Sequence, residues 1–197
     1  MDSLNHVITP GFNDPIFDSI KVFRAMTDAM SNPGSIQHLV SRPPGLNSLM
    51  PAMVAICLTL LDHETKLWIQ EPLSSESEYL KFHCNCPMTV ETRLASFALI
   101  KDVSRLPSIE CFNSGDPEYP DRSATLLVQV SGFSTHRGMR LTGPGILGHQ
   151  LLEVEGLSLA HWTQIQESRS HFPCGLDIIF ICGEKISALP RSTQVGI

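Results

Sequence analysis

Three short stretches of this 197-residue sequence hold residue types that could do chemistry. In Gly143-Pro144-Gly145 two glycines could let backbone N–H groups approach an anion. The stretch lacks the six-residue glycine fingerprint of dinucleotide folds and the terminal Gly-Lys-Ser/Thr of triphosphate loops, and Pro144 removes a donor. A tight turn after a strand accounts for it better. His83-Cys84-Asn85-Cys86 crowds metal-ligand types together, but a zinc site needs a second pair and no other Cys/His doublet occurs. Arg191, after Leu189-Pro190, is a guanidinium at a strand end that could fork onto a carboxylate or phosphate. An internal ion pair with Asp177 is the plainer alternative. Arg24 precedes Asp28 by four residues, the spacing of a solvated helix-face pair.

Other chemistries leave no mark. There is no Gly-x-Ser-x-Gly elbow to flag a nucleophile. Nothing singles out one of the five lysines (Lys21, Lys66, Lys81, Lys101, Lys185) as a Schiff-base former.

The elements that must position these residues are readable in part. Asp14 caps a predicted helix whose first position is Pro15, with Ile16, Phe17, Ile20, Phe23, Thr27 and Met30 at three- and four-residue steps and a stop at Asn32-Pro33-Gly34. After a turn-rich stretch, Ser41 to Asn47, the run Pro51–Leu61 is apolar all round, as in a helix buried on most sides. Leu67-Trp68-Ile69 reads as a strand, and Ser75 with Glu78 has capping-box spacing for a helix to about Phe82. Ser96–Ile100 and Ala124–Val130 are β-type runs, with a short helix expected over Pro107–Phe112. Met139–Leu141 leads into the Gly143 turn, and Ser158 caps a helix carrying Leu159, Trp162 and Ile165. Asp177–Cys182 and Lys185–Leu189 flank Gly183-Glu184 as a hairpin. Helices and strands interleave, so the expected class is α/β: one domain, residues 1–197, with a mixed sheet and helices on its faces.

Composition narrows the function. With 14 Lys+Arg against 20 Asp+Glu the net charge is −6, which argues against a nucleic-acid binder. Charged residues make up 17% against 42% hydrophobic, so little charge is left to cover the surface, and a partner is expected to cover some of it. The longest apolar run, Met50–Leu61, is too short to span a bilayer, and the N-terminus lacks a secretory pattern, which places the chain in the cytoplasm. The six cysteines are expected to be buried free thiols.

Seven motifs stand in one order: Phe23-Arg24-x-Met26-x-x-Ala29-Met30-Ser31-x-Pro33-Gly34, Leu58-Thr59-Leu60-Leu61-Asp62-x-x-Thr65, Phe82-His83, Ser123-Ala124-Thr125-Leu126, Leu141-Thr142-Gly143-Pro144-Gly145-Ile146, Phe172-Pro173-x-Gly175-x-Asp177, and Leu189-Pro190-Arg191-Ser192-Thr193. Together they resemble the PhnH family, the H subunit of the bacterial carbon-phosphorus lyase core complex. The resemblance implies a fold like the large domain of pyridoxal-phosphate-dependent transferases without the cofactor's lysine, with no cofactor and no metal. It implies a homodimer in isolation and assembly with the G, I and J subunits. It further implies a non-catalytic role in the step that displaces adenine from ATP with a phosphonate. The family motif that commonly reads Pro-Arg-Thr-Thr is here Pro190-Arg191-Ser192-Thr193, and Cys84 and Cys86 are not family features. Arg24, Gly143, Gly145, Asp177 and Arg191 are the ligand or interface candidates. A small-molecule module using Arg191 and the Gly143–Gly145 turn to hold a phosphonate or nucleotide phosphate is the second reading, and a stand-alone pyridoxal-phosphate transferase the third.

Overall fold

The computed structural model describes residues 9–41, 43, 46 and 48–196. The N-terminal stretch to residue 8 and residues 42, 44, 45 and 47 of the turn-rich segment lie outside them. The chain opens with α1 (Pro15–Ser31), β1 (Gln37–His38) and α2 (Pro51–Leu60), then β2 (Leu67–Ile69) and α3 (Ser74–Cys84). It continues through β3 (Phe97–Ile100), β4 (Thr125–Gln129), β5 (Phe133–Thr142) and β6 (Gln150–Val154), then α4 (Leu159–Ser168), β7 (Asp177–Cys182), β8 (Lys185–Leu189) and β9 (Gln194–Gly196).

The main sheet has the order β1-β8-β7-β4-β3-β2, with β2, β3, β4 and β7 parallel, β8 antiparallel to β7, and β1 antiparallel to β8. It is the expected α/β mixed sheet. Its central strands are buried on both faces, which is why Phe97–Ile100, Leu126–Val128 and Ile178–Ile181 read as continuous apolar runs. Because side chains alternate along a strand, Leu99, Leu127, Ile179 and Ile181 face the α1–α2–α3 layer, whereas Ala98, Leu126, Ile178 and Phe180 face α4 and a second sheet. That second sheet, β6-β5-β9, is antiparallel.

Local signals explain the helices. The Asp14 carboxylate accepts the Phe17 N–H at 3.1 Å, and Pro15 sits where no intrahelical donor is needed, so α1 starts where expected. It buries Val22, Met26 and Ala29. The row Ile16, Phe17, Ile20 and Phe23 lies about 140° around the helix, at 100° per residue, and faces outward. In α3 the carboxylate that closes the first turn belongs to Glu76, which accepts the Leu73 N–H at 2.9 Å, and not to Glu78 as the Ser75 spacing suggests. The helix therefore begins at Ser74. Between Pro107 and Phe112 only a single 3-10 turn, Ile109–Cys111, forms.

Candidate functional site

Two polar centres sit at opposite ends of the parallel strands. At the C-terminal end, apolar strands are each followed or closed by a polar residue: Gln70 after β2, Lys101 after β3 and Gln129 at the end of β4. Glu76, wholly buried in the first turn of α3, receives the Lys101 ammonium at 3.0 and 3.1 Å and the Ser48 hydroxyl. The third Lys101 donor goes to the Glu71 carbonyl at 2.7 Å. Gln129 accepts the Met50 N–H at 2.6 Å, which serves α2 in place of a side-chain cap, and donates to the Ser48 carbonyl at 3.0 Å. Gln70 accepts the N–H groups of Lys101 and Asp102 and donates to the carbonyls of Asp102 and Arg105. The network is closed, with each side chain spending its donors on its neighbours.

The N-terminal end is different. Asp177 opens β7, and Arg191 follows β8, which runs antiparallel beside it. The Arg191 guanidinium meets Asp177 Oδ2 at 2.5 Å, its backbone N–H reaches Oδ1 at 2.8 Å, and Nη1 donates to the Pro120 carbonyl. The side chains are only 19% and 14% exposed. Beside this pair lies Arg169, in the 3-10 turn after α4 and 2% exposed. Its Nη1 donates to the Leu176 carbonyl at 2.8 Å, while Nε and Nη2 have no hydrogen-bond partner among the described residues. Burial pulls its pKa down to about 10, against an upward pull from Asp177 and a further downward push from Arg191.

Three of the seven ordered motifs, Phe172 to Asp177, Leu189 to Thr193 and the Gly143 turn, lie at or beside the N-terminal end. Residues 10–196 match the family described as bacterial phosphonate metabolism protein (PhnH). The chain belongs to the PhnH family. Among its relatives, the alpha-D-ribose 1-methylphosphonate 5-triphosphate synthase subunit PhnH of Rhizobium meliloti (strain 1021) is 30% identical over 197 residues, covering 99% of this chain and 98% of that protein. The putative C-P lyase subunit protein HtxG of Stutzerimonas stutzeri is 34% identical over 176 residues, 89% of this chain and 84% of that one.

In this member of the family the sequence candidates divide. Asp177 and Arg191 come together as the internal ion pair. Gly143 and Gly145 lie in a turn closed by the Ile146 N–H to the Gly143 carbonyl at 3.2 Å. A Cβ on Gly145, at φ +81°, would stand 2.0 Å from the Ser31 carbonyl oxygen, and one on Gly143 3.0 Å from that of Ser192. The glycines thus allow the turn to wedge between the end of α1 and the segment after Arg191. Arg24 is exposed on α1 and makes no ion pair with Asp28 among the described residues. Two solvated side chains gain too little from pairing to hold one geometry.

All six cysteines are free thiols, but only Cys57, Cys84 and Cys86 are buried as expected, whereas Cys174 and Cys182 are half-buried and Cys111 is exposed. Asn85, at φ +53°, turns the chain between Cys84 and Cys86, so the stretch is not extended, and among the described residues no group of three metal-ligating side chains gathers. Arg169, Glu76, Lys101, Gln70 and Gln129 were missed. A polar residue directly after an apolar strand was the available signal for Gln70, Lys101 and Gln129. Arg169 carries no such mark.

Proposed function

We propose that this chain is a subunit of the phosphonate-processing assembly named in its relatives, the ribose 1-methylphosphonate 5-triphosphate synthase of the carbon-phosphorus lyase system, and that it supplies contact surface rather than reacting groups. In this reading it is a homodimer when isolated, joins the G, I and J subunits, works in the cytoplasm and helps the transfer of a phosphonate to ATP with release of adenine. The observation that carries the surface role is the outward row on α1: Ile16 is 70% exposed, Phe17 63%, Ile20 42% and Phe23 55%. Single exposed apolar side chains are ordinary, but four on one helical stripe form a patch of the kind that partners cover. Arg24, next to Phe23 and without an ion pair among the described residues, is the polar contact we assign to that interface. The acidic first turn of a second α1, with Asp14 and Asp18, is complementary to it in an antiparallel pair.

The likeness to the large domain of pyridoxal-phosphate-dependent transferases belongs to this reading and is supported by the parallel β2–β3–β4–β7 centre. The lysines support a role without that cofactor: Lys21, Lys66, Lys81 and Lys185 are exposed, and the Lys101 ammonium is spent on Glu76 and Glu71. No helix among the described residues is long and apolar enough to cross a membrane.

The test is co-expression with the other core subunits followed by affinity purification, alongside light scattering of the isolated chain. Wild type is expected to elute as a dimer and to co-purify with its partners. The double variant Phe17→Asp/Ile20→Asp is expected to keep its melting temperature and weaken self-association about tenfold or more, since two exposed anchors are lost without any core contact. A monomeric wild type that never co-purifies with I, G or J overturns the proposal.

A further inference from the structure

Three charged side chains line one cavity and form no ion pair among the described residues: Arg93, Glu110 and Glu167. The cavity holds about 250 Å³ and lies between α4 and the loops that precede and follow β3. Hydrogen bonds fix its walls. The Gln164 side chain, on α4, accepts the Ile109 N–H at 3.1 Å and pins the helix to the 3-10 turn Ile109–Cys111, which carries Glu110. Thr92 donates its hydroxyl to the Cys111 carbonyl at 2.7 Å, which ties the 3-10 turn Thr92–Leu94, with Arg93, to the same wall. The Gly175 N–H reaches the Ser114 carbonyl at 2.8 Å and closes the far side. Glu167 follows Gln164 by three residues, so both stand on the face of α4 that the cavity meets.

The floor differs from the rim. Ile109, Phe112 and Leu176 are buried and apolar, whereas Arg93, Glu110 and Glu167 are exposed. Solvated charges gain little by reaching across water to one another, and these three stay apart. A ligand that carries both signs gains at both ends, and its stem covers the floor as well. Charge narrows the choice further. Two carboxylates repel a simple anion, and the guanidinium repels a simple cation. A bare metal ion would trade its hydration for an apolar floor, and no group of three metal-ligating side chains gathers among the described residues. A volume below the ~300–1,000 Å³ of pockets for drug-sized ligands suits a molecule of amino-acid size and not a nucleoside triphosphate.

We propose that this cavity binds a small zwitterion, an ammonium joined by a short apolar stem to a carboxylate or phosphonate. Glu110 and Glu167 take the ammonium, the fork of Arg93 takes two oxygens of the anionic head, and the stem lies on Ile109, Phe112 and Leu176. The site is independent of the subunit role and can be read on the isolated chain.

The test uses the purified full chain at fixed ionic strength, titrated separately with γ-aminobutyrate, 3-aminopropylphosphonate, n-butylammonium and butyrate. The backbone amide resonances of Glu110, Phe112 and Gly175 are followed. At least one zwitterion is expected to shift all three saturably and to bind about fivefold or more tightly than either singly charged analogue. γ-Aminobutyrate acting alone assigns a carboxylate head, 3-aminopropylphosphonate acting alone assigns a phosphonate head, and both acting shows that charge and stem decide. Arg93→Gln is expected to reduce the zwitterion to the affinity of n-butylammonium, and Glu110→Gln/Glu167→Gln to that of butyrate. All three side chains are exposed, so both variants are expected to keep the wild-type melting temperature. Resonances unmoved by about 10 mM of either zwitterion overturn the proposal. So does a singly charged analogue that binds as tightly as both zwitterions, or zwitterion binding that both variants leave unchanged.

Discussion

The two ends of the parallel strands hold similar side chains in opposite states. At the C-terminal end the carboxylate of Glu76, the ammonium of Lys101 and the amides of Gln70 and Gln129 satisfy one another. At the N-terminal end Asp177 satisfies Arg191 and leaves the edge of Arg169 bare. In open α/β sheets ligands commonly bind outside the carboxyl ends of the strands. Here that crevice is filled by the protein's own groups, and the unsatisfied one lies at the other end. The difference teaches that topology supplies a crevice, whereas the local balance of donors and acceptors decides whether it is free to bind. A closed buried network adds rigidity, whereas an open one leaves a buried donor unsatisfied at a cost.

The largest effect should come from breaking the closed end. Glu76→Ala leaves the buried Lys101 ammonium with the Glu71 carbonyl as its one acceptor and removes the acceptor for the Leu73 N–H. Loss of one member of a buried pair costs about 3–5 kcal/mol, to be read as a lower urea midpoint at unchanged slope. The paired apolar replacement Glu76→Leu/Lys101→Met removes both charges together and should recover most of that loss. A Glu76→Ala variant that loses under about 1 kcal/mol would show that the network is not what closes this end.

A smaller effect is expected at the open end. Asp177→Asn leaves Arg169 and Arg191 facing each other with no counter-charge. The pair is 14% and 19% exposed, so part of the charge is screened and the loss should be about 2 kcal/mol. Urea melts of the two variants side by side read the contrast, and an Asp177→Asn loss as large as that of Glu76→Ala would erase the distinction between the ends.

How much of this was legible in the sequence depends on whether the cause was local. The central strands could be read because burial on both faces forces continuous apolar runs, and α1 because Asp14 and Pro15 act within one turn. The Asp177–Arg191 pair stood as an alternative because both residues flank one hairpin. The second sheet was mostly hidden. Between Phe133 and Thr142, β5 is largely polar and half-exposed, with a register irregularity between Ser134 and Met139, so its period is broken. β9 is three residues long and is held by its partner rather than by its own pattern. Periodicity named one apolar row on α1, with Ile16, Phe17, Ile20 and Phe23, whereas the fold buries another, Val22, Met26 and Ala29, because three- and four-residue steps mark a helix face without saying that the core takes it. Arg169 could not be found, because having no partner is a property of three-dimensional surroundings and leaves no spacing in the chain.

The smallest predicted effect has the clearest sign. Arg169→Met exchanges an incompletely paired buried charge for an apolar side chain and should change stability little at pH 7. The difference between wild type and variant should then depend on pH. Below about pH 10 the folded and unfolded chains both carry the Arg169 proton, and the folded state bears the full penalty of burying it. Above about pH 10 the folded chain gives up that proton while the unfolded chain, at the ordinary higher value of a guanidinium, keeps it. The unfolded state then binds more protons, so the stability of wild type relative to Arg169→Met rises with pH, by about 1 kcal/mol over the first unit. Absolute stability moves the other way, because burial raises Cys84 and Tyr79 to about 12 and lifts Cys57 and Cys86 as well. Their stabilising protonated forms are lost as pH climbs from about 9 towards 12. That loss is common to both proteins and cancels in the difference, which urea melts at a series of pH values from neutral to about 11 can measure. A difference that stays flat with pH would show that Arg169 does not carry a penalised buried charge in the folded chain.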